Sequence, residues 1–148
     1  MRNRILTVLI ILTLGFIWVH SCMGRESSAE ESAKVTEIVE PVLEIVVGEG
    51  NVTDHLVRKL AHFSEFALLG FELALRLAGK RKGWLHACAA GFFVGFLDET
   101  IQIFAFRGDA IIDVWLDFSG VVFGALAALL AQWLFRKLWK RRKASADA

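Results

Sequence analysis

Acidic side chains are concentrated between residues 98 and 124, a stretch with long apolar runs on both sides. The polar residues in and around it that could do chemistry are Asp98, Glu99, Gln102, Arg107, Asp113 and Asp117. Ionisable groups inside hydrocarbon are costly, so they are rare there and usually mark a function. Carboxylates in such a setting can transfer protons or bind a cation, and an arginine can hold an anionic head group.

The composition indicates what surrounds these residues. Of the 148 residues, 55% are hydrophobic and the mean hydropathy is +0.51. Such a chain is too apolar for a small soluble domain and is typical of a helical membrane protein. The net charge of +1 argues against a nucleic-acid partner. Cys22 and Cys88 provide neither a disulfide framework nor a CxxC metal pair.

Four runs of about 20 residues are long enough to cross a bilayer as helices. They cover residues 5–23, 60–79, 84–104 and 111–135. The first is preceded by basic residues, as in a signal peptide or a first transmembrane helix, and we expect it to be retained. Its end weakly resembles a lipoprotein cleavage box, which His20 fits poorly. The sequence predicts an all-α integral membrane protein with one domain over 1–148, built as a four-transmembrane-helix bundle.

The segment 25–57 is polar and mostly acidic, with apolar residues recurring at helical spacing from Val35 to Val46. This pattern predicts an extracytoplasmic amphipathic helix that lies on the membrane or caps the bundle. Pro41 is expected to bend or divide it. A partly ordered loop is the alternative interpretation.

The run 60–79 is unusually polar for a span. On a helix with about 100° per residue, its polar residues and Arg58 fall within an arc of about 80°. They are Arg58, His62, Glu65, Glu72 and Arg76. One polar stripe on an apolar helix must face other helices or a wet cavity. Glu72 and Arg76, four residues apart, are in position to neutralise each other.

The last two runs each place small residues on their polar face. Gly91 and Gly95 precede Asp98 and Gln102 on one side of the run 84–104. In the run 111–135, the residues that share a face are Asp113, Asp117, Gly120, Gly124 and Ala131. Small residues allow helix backbones to approach closely, so the pattern predicts that both polar faces pack against neighbouring helices.

The distribution of Lys and Arg predicts the orientation. The N-terminus, the turn 80–82 and the tail 136–148 carry basic residues and are expected to be cytoplasmic, while 25–57 and 98–113 are acidic and expected outside. Four spans with both termini inside satisfy this pattern. At about 1.5 Å per residue, the polar residues of three spans then lie within roughly 10 Å of the outer interface.

Crowded carboxylates cannot all be ionised in a low dielectric unless a proton or a cation compensates. The predicted ligand-binding residues are Arg58, His62, Glu65, Asp98, Glu99, Gln102, Arg107, Asp113 and Asp117. If the site is catalytic, the candidates are His62, Glu65, Asp98 and Glu99. A purely structural network that locks the helices is the alternative. A divalent cation is compatible with these ligand types, but no HExxH-type motif is present, so no metal or other cofactor is predicted.

Three elements in order resemble one family. The segment from Lys59 to Phe66 resembles the K-x-x-H-F-x-E-[YF] signature of VanZ-like membrane proteins, and 98–102 resembles their D-E-x-x-Q element. Arg107, Asp113 and Gly120 fit the R-x5-D-x6-G spacing that follows. Each motif is short, but the ordered set, covering roughly residues 5–135, is specific. Phe104-Ala-Phe stands before Arg107, where the family often has a Pro-Gly turn.

The resemblance implies a multi-pass protein of the bacterial cytoplasmic membrane. The family is named after an accessory protein that gives low-level teicoplanin resistance, so we expect a non-enzymatic envelope factor acting on a lipid-linked or lipoglycopeptide ligand at the outer membrane face. The expected partners are the lipid bilayer and such a ligand. An enzyme acting on a lipid or cell-wall intermediate is the alternative, with His62 or Glu65 as general acid or base and Arg107 binding the head group. The sequence predicts no oligomeric state.

Overall fold

A computed structural model describes residues 1–22, 25–48, 50–104 and 111–146. Within these ranges the regular structure is all α-helical. The five helices are α1 (Arg2–Cys22), α2 (Arg25–Val47), α3 (Asp54–Arg76), α4 (Gly83–Phe104) and α5 (Ile111–Ala146). The predicted fold class is confirmed in this coarser form.

Three of these helices are long and apolar enough to cross a membrane: α1, α4 and the Ile112–Lys143 part of α5. The 23-residue helix α3 is about 35 Å long at 1.5 Å per residue, which also exceeds the hydrocarbon thickness. Helix α3 is not among the three apolar helices because it carries many charged side chains. Length alone therefore permits a fourth span, but composition does not identify one.

Helix α3 begins about six residues before its apolar run. The Thr53 side chain accepts a hydrogen bond from the backbone N–H of Leu56, at 3.2 Å, and so caps the helix. Asp54 adds a negative charge to the first turn, where the helix dipole favours it. After α3 the chain reverses through Gly79 and Lys82, whose φ angles are +86° and +56°. Helix α3 therefore extends six residues before the predicted span 60–79 and ends three residues before the end of that span.

Close backbone contact holds α3 against α5. A Cβ atom on Gly124 would overlap the carbonyl oxygen of Ala67, and one on Gly70 would overlap the backbone of Val121. On α4, a Cβ on Gly91 would overlap the Val121 side chain. The predicted packing of these small-residue faces is confirmed. It leaves Phe66 and Val121 fully buried at the centre of the bundle, together with Ile17 of α1.

The segment between α1 and α3 is helical over most of its length. Helix α2 runs from Arg25 to Val47 with Pro41 inside it, so the helix interpretation is confirmed and the proline does not divide it. Its apolar residues Ile38, Val42 and Ile45 are 66–84% exposed, which leaves an apolar face uncovered by the bundle.

The basic tail predicted after residue 135 continues α5 as far as Ala146.

Candidate functional site

Four helices bring polar side chains to one buried cluster. Its members are Ser21 on α1, His62 on α3, Asp98, Glu99 and Gln102 on α4, and Asp117 on α5. Asp98 is 0% exposed and Asp117 is 1% exposed, so both carboxyl groups are inside the protein. The small residue Gly95 makes room for this arrangement, because a Cβ there would lie 3.3 Å from the Cβ of Asp117.

At the centre of the cluster, His62, Asp98 and Asp117 form a triangle. One ligand atom from each lies within 4.8 Å of the other two. The Nδ1 atom of His62 is 4.0 Å from Oδ1 of Asp117, an ion-pair distance if the imidazole is protonated. Since each residue comes from a different helix, the triangle exists only in the folded bundle.

Asp98 is held by hydrogen bonds on both oxygens. The Ser21 hydroxyl donates to Oδ1, which joins α1 to α4. The Gln102 amide donates to Oδ2 at 2.8 Å and also to Oε1 of Glu99 at 3.2 Å. Residues three and four apart on a helix lie on the same face, so the D-E-x-x-Q spacing produces this arrangement directly.

Asp117 is in the opposite situation. In the ranges described, neither of its carboxylate oxygens has a hydrogen-bond partner, although both are buried. The carboxyl groups of four other residues are close enough to repel it electrostatically: Glu99, Asp98, Asp113 and Glu65. Burying a polar group without a compensating donor is unfavourable, and burying a charge is more so. Asp117 is therefore a buried carboxyl group without a compensating donor in the described structure.

Glu65 lies beside the cluster but turns towards α1. Its Oε1 is 3.0 Å from Nδ1 of His20. It also lines an open cavity of about 360 Å³ between α1 and α3, together with Leu12, Thr13, Phe16, Ser64 and Leu68. The predicted site between spans two, three and four is therefore incomplete, because the first helix forms part of it.

The remaining predicted residues lie at the rim or outside the described ranges. Asp113 accepts a hydrogen bond from Lys59 at 2.6 Å, with each side chain about 30% exposed (27% and 32%). Arg58 contacts His55 of its own helix at 3.2 Å. The predicted residue Arg107 is outside the residues that the structure describes.

The polar stripe of α3 is divided between two neighbours. Glu72 accepts a hydrogen bond from Thr13 at 3.1 Å, and Nε of Arg76 donates to Oγ1 of Thr7 at 3.2 Å. In the described part of the chain, no ion pair joins Glu72 to Arg76, so the interpretation that they neutralise each other is wrong. Each instead forms a hydrogen bond with a threonine of α1.

The predicted site residues omit His20, Ser21 and Lys59, although Lys59 is the first residue of the K-x-x-H-F-x-E-[YF] motif. Ser21 is fully buried, and its hydroxyl reaches an acid 77 positions along the chain. The available signal was a pair of polar residues, His20 and Ser21, at the end of an apolar run. That signal did not identify a partner, since helical periodicity does not indicate which distant helix a polar end will contact.

Chemically, the cluster offers an imidazole, several carboxylates, an amide and a hydroxyl in one low-dielectric space. It can accept protons or hold a cation, and its rim lysine can contact an anion.

The model of a protein family described as VanZ/LLP1 matches residues 6–134, which contain the whole cluster. No curated protein matches the chain, and no solved structure does.

Proposed function

The chain belongs to the VanZ/LLP1 family, and from that membership and the buried cluster we propose that it binds a lipid-linked or lipoglycopeptide ligand at the outer face of the bacterial cytoplasmic membrane. In this proposal the protein is an envelope factor, and teicoplanin-type tolerance is one phenotype it can confer. The ligand's polar part meets the cluster and its apolar part lies against the exposed apolar helix surfaces. Leu12, Phe16 and Leu68 line the cavity next to Glu65 and offer such a surface.

The proposal includes four spans, with α3 as the second. Its support is that the polar side chains of α3 contact other helices: Glu72 bonds to Thr13, Glu65 to His20, and His62 lies beside Asp117. A helix that shields its polar groups in this way can cross hydrocarbon.

The orientation in this proposal has both termini in the cytoplasm. The basic residues of the N-terminus, the turn 80–82 and the end of α5 are then on the cytoplasmic side. The end of α1, the start of α3, the end of α4 and the start of α5 are on the outer side. Their side chains form the cluster, so the cluster is placed near the outer interface.

The observation that carries the ligand-binding function is the contrast between Asp98 and Asp117. A network that only locks helices is expected to satisfy all of its buried members, because each unsatisfied polar group costs about 1–3 kcal/mol. Asp98 has donors on both oxygens, whereas both oxygens of Asp117 lack them in the described structure. An unsatisfied buried group calls for an explanation, and in this proposal a bound ligand supplies the missing contacts.

An enzymatic function is the second candidate, and the position of His62 favours it. Its Nδ1 lies 4.0 Å from Asp117, so a carboxylate can orient the imidazole as a general base. The substrate would be a lipid or cell-wall intermediate, with Glu65, Asp98 or Glu99 as the acid. A nucleophile or a bound group would also be required.

The test is to purify the protein in lipid nanodiscs from a bacterial host and identify co-purifying molecules by mass spectrometry. We expect a molecule with a lipid tail and a polar head group that is retained by the wild type and by Glu72→Gln, whose carboxyl group contacts Thr13 away from the triangle. Asp117→Asn should lose it. Equal retention by Asp117→Asn would contradict the proposed site, and incubation with teicoplanin tests the lipoglycopeptide directly.

A further inference from the structure

We propose that His62, Asp98 and Asp117 bind one divalent metal cation of the Zn²⁺ or Mn²⁺ class. This inference rests on the proposed function, because it takes the cluster to be a ligand site and not a scaffold. It identifies one ligand of the cluster as a metal cation. It also explains why Asp117 has no hydrogen-bond partner among the described residues.

The spacing of the three side chains is close to that of metal ligands. The three side chains each present one ligand atom, and these atoms lie within 4.8 Å of one another. Around a tetrahedral zinc with bonds of about 2.1 Å, ligand atoms are about 3.4 Å apart. The observed triangle is larger by about 1.4 Å at most, a difference that small rotations of a histidine and two aspartates can remove.

The burial of Asp117 without a hydrogen-bond donor in the described structure also favours a cation. Its side chain is 1% exposed, and neither oxygen has a hydrogen-bond partner in the ranges the structure describes. Its nearest ion-pair neighbour is the His62 imidazole at 4.0 Å. A cation inside the triangle would contact the carboxylate that the protein itself leaves unsatisfied.

The carboxyl groups of the cluster also favour a cation. Five carboxyl groups lie in or beside the cluster: Glu65, Asp98, Glu99, Asp113 and Asp117. Lys59 pairs with Asp113 at the rim. A divalent ion inside the triangle would neutralise Asp98 and Asp117 with a neutral imidazole as third ligand. It would also reduce the repulsion from Glu65 and Glu99.

One of the proposed metal ligands, Asp98, is held in place by hydrogen bonds. The Ser21 hydroxyl and the Gln102 amide both donate to Asp98. Partners of this kind orient metal-binding carboxylates in known sites, and losing them typically lowers metal affinity 10–100-fold. Ser21 and Gln102 are therefore positioning residues in this proposal.

The ligand types suggest which ion binds. Imidazole suits zinc, whereas carboxylates also suit manganese, so one histidine and two aspartates favour Zn²⁺ or Mn²⁺ over Ca²⁺ or Mg²⁺. Three protein ligands leave at least one coordination position open, as in catalytic zinc sites. A phosphate or carboxylate oxygen of the proposed lipid-linked ligand has the chemistry to occupy it.

The test uses the full-length protein in detergent, stripped with a chelator and titrated with Zn²⁺ alone and with Mn²⁺ alone. Equilibrium dialysis with elemental analysis should give one equivalent of one of these ions bound to the wild type. Asp117→Asn and His62→Gln should weaken binding by about 100-fold or more, since loss of a ligand exceeds loss of an outer partner. Glu72→Gln, a buried carboxyl group outside the triangle, should bind like the wild type.

A spectroscopic measurement keeps the test valid if a variant fails to fold. Mn²⁺ bound to the wild type should show magnetic coupling to one imidazole nitrogen. Absence of stoichiometric Zn²⁺ and Mn²⁺, absence of nitrogen coupling in bound Mn²⁺, or wild-type affinity in both folded ligand variants would overturn the proposal. Capture of a lipid-linked molecule by protein that binds neither ion would overturn it while leaving the proposed function intact. One bound equivalent without any captured molecule would support the metal site and count against the proposed function.

Discussion

Replacing Asp117 by asparagine is predicted to stabilise the metal-free and ligand-free protein. The carboxyl group is buried, unsatisfied in the described structure and surrounded by other acids. Asparagine has nearly the same shape, carries no charge and offers two N–H donors to the neighbouring carboxylates. An unsatisfied buried polar group costs about 1–3 kcal/mol, so relieving it should contribute about 2 kcal/mol. For a chain of this size that amounts to an increase in melting temperature of about 4–8 °C.

The assay is thermal unfolding of chelator-treated wild type and Asp117→Asn in the same detergent. Ser21→Ala is the contrasting variant, because it removes the hydroxyl donor of Asp98 and should lower the melting temperature. If Asp117 instead forms a stabilising ion pair with His62, breaking that pair should cost about 3–5 kcal/mol. If Asp117→Asn melts 10 °C or more below the wild type, Asp117 belongs to a stabilising network and the argument from strain is refuted.

Three further outcomes follow from packing, hydrogen bonding and topology. Gly124→Val should reduce the membrane level of the protein severely because the backbone of α3 leaves no room for a Cβ there, whereas Gly15→Ala, with open space around it, should be tolerated on an immunoblot. Ser21→Ala should cost about 1–3 kcal/mol by leaving a buried carboxylate of α4 short of a donor, measured by thermal unfolding, and an unchanged melting temperature would contradict that hydrogen bond. In a cysteine-free background, a membrane-impermeant thiol reagent should label a cysteine at position 45 in intact cells and miss one at position 81; labelling at 81 would refute the cytoplasmic assignment of that turn.

The sequence predicted the helices better than their ends. The runs around α1, α4 and the first part of α5 were identified because apolar length is a local property of the chain. The predicted span 60–79 covers only the apolar part of α3, whose polar first turn follows the Thr53 cap. The extension of α5 to Ala146 was missed because a charged, solvated helix end lacks the apolar signal used to define a span.

The residues of the candidate site were predicted more fully than the contacts between them. The small residues of α4 and α5 indicated that their polar faces would be buried, and Asp98 and Asp117 do lie in one cluster. What the sequence could not supply was the position of α1. Helical spacing relates residues of one helix, whereas the contacts of Ser21 with Asp98 and of His20 with Glu65 depend on how separate helices pack.

The central claim is that the cluster exists for a ligand and not for folding. The most direct measurement compares Glu65→Gln and Glu99→Gln with the wild type for membrane level, melting temperature and retention of the co-purifying ligand in one set of preparations. Both substitutions remove a charge and keep a hydrogen-bonding side chain of similar shape. We predict normal levels and melting temperatures with loss of the bound ligand and of any teicoplanin tolerance. Degradation of both variants, or unfolding many degrees earlier, would instead assign the cluster to the scaffold.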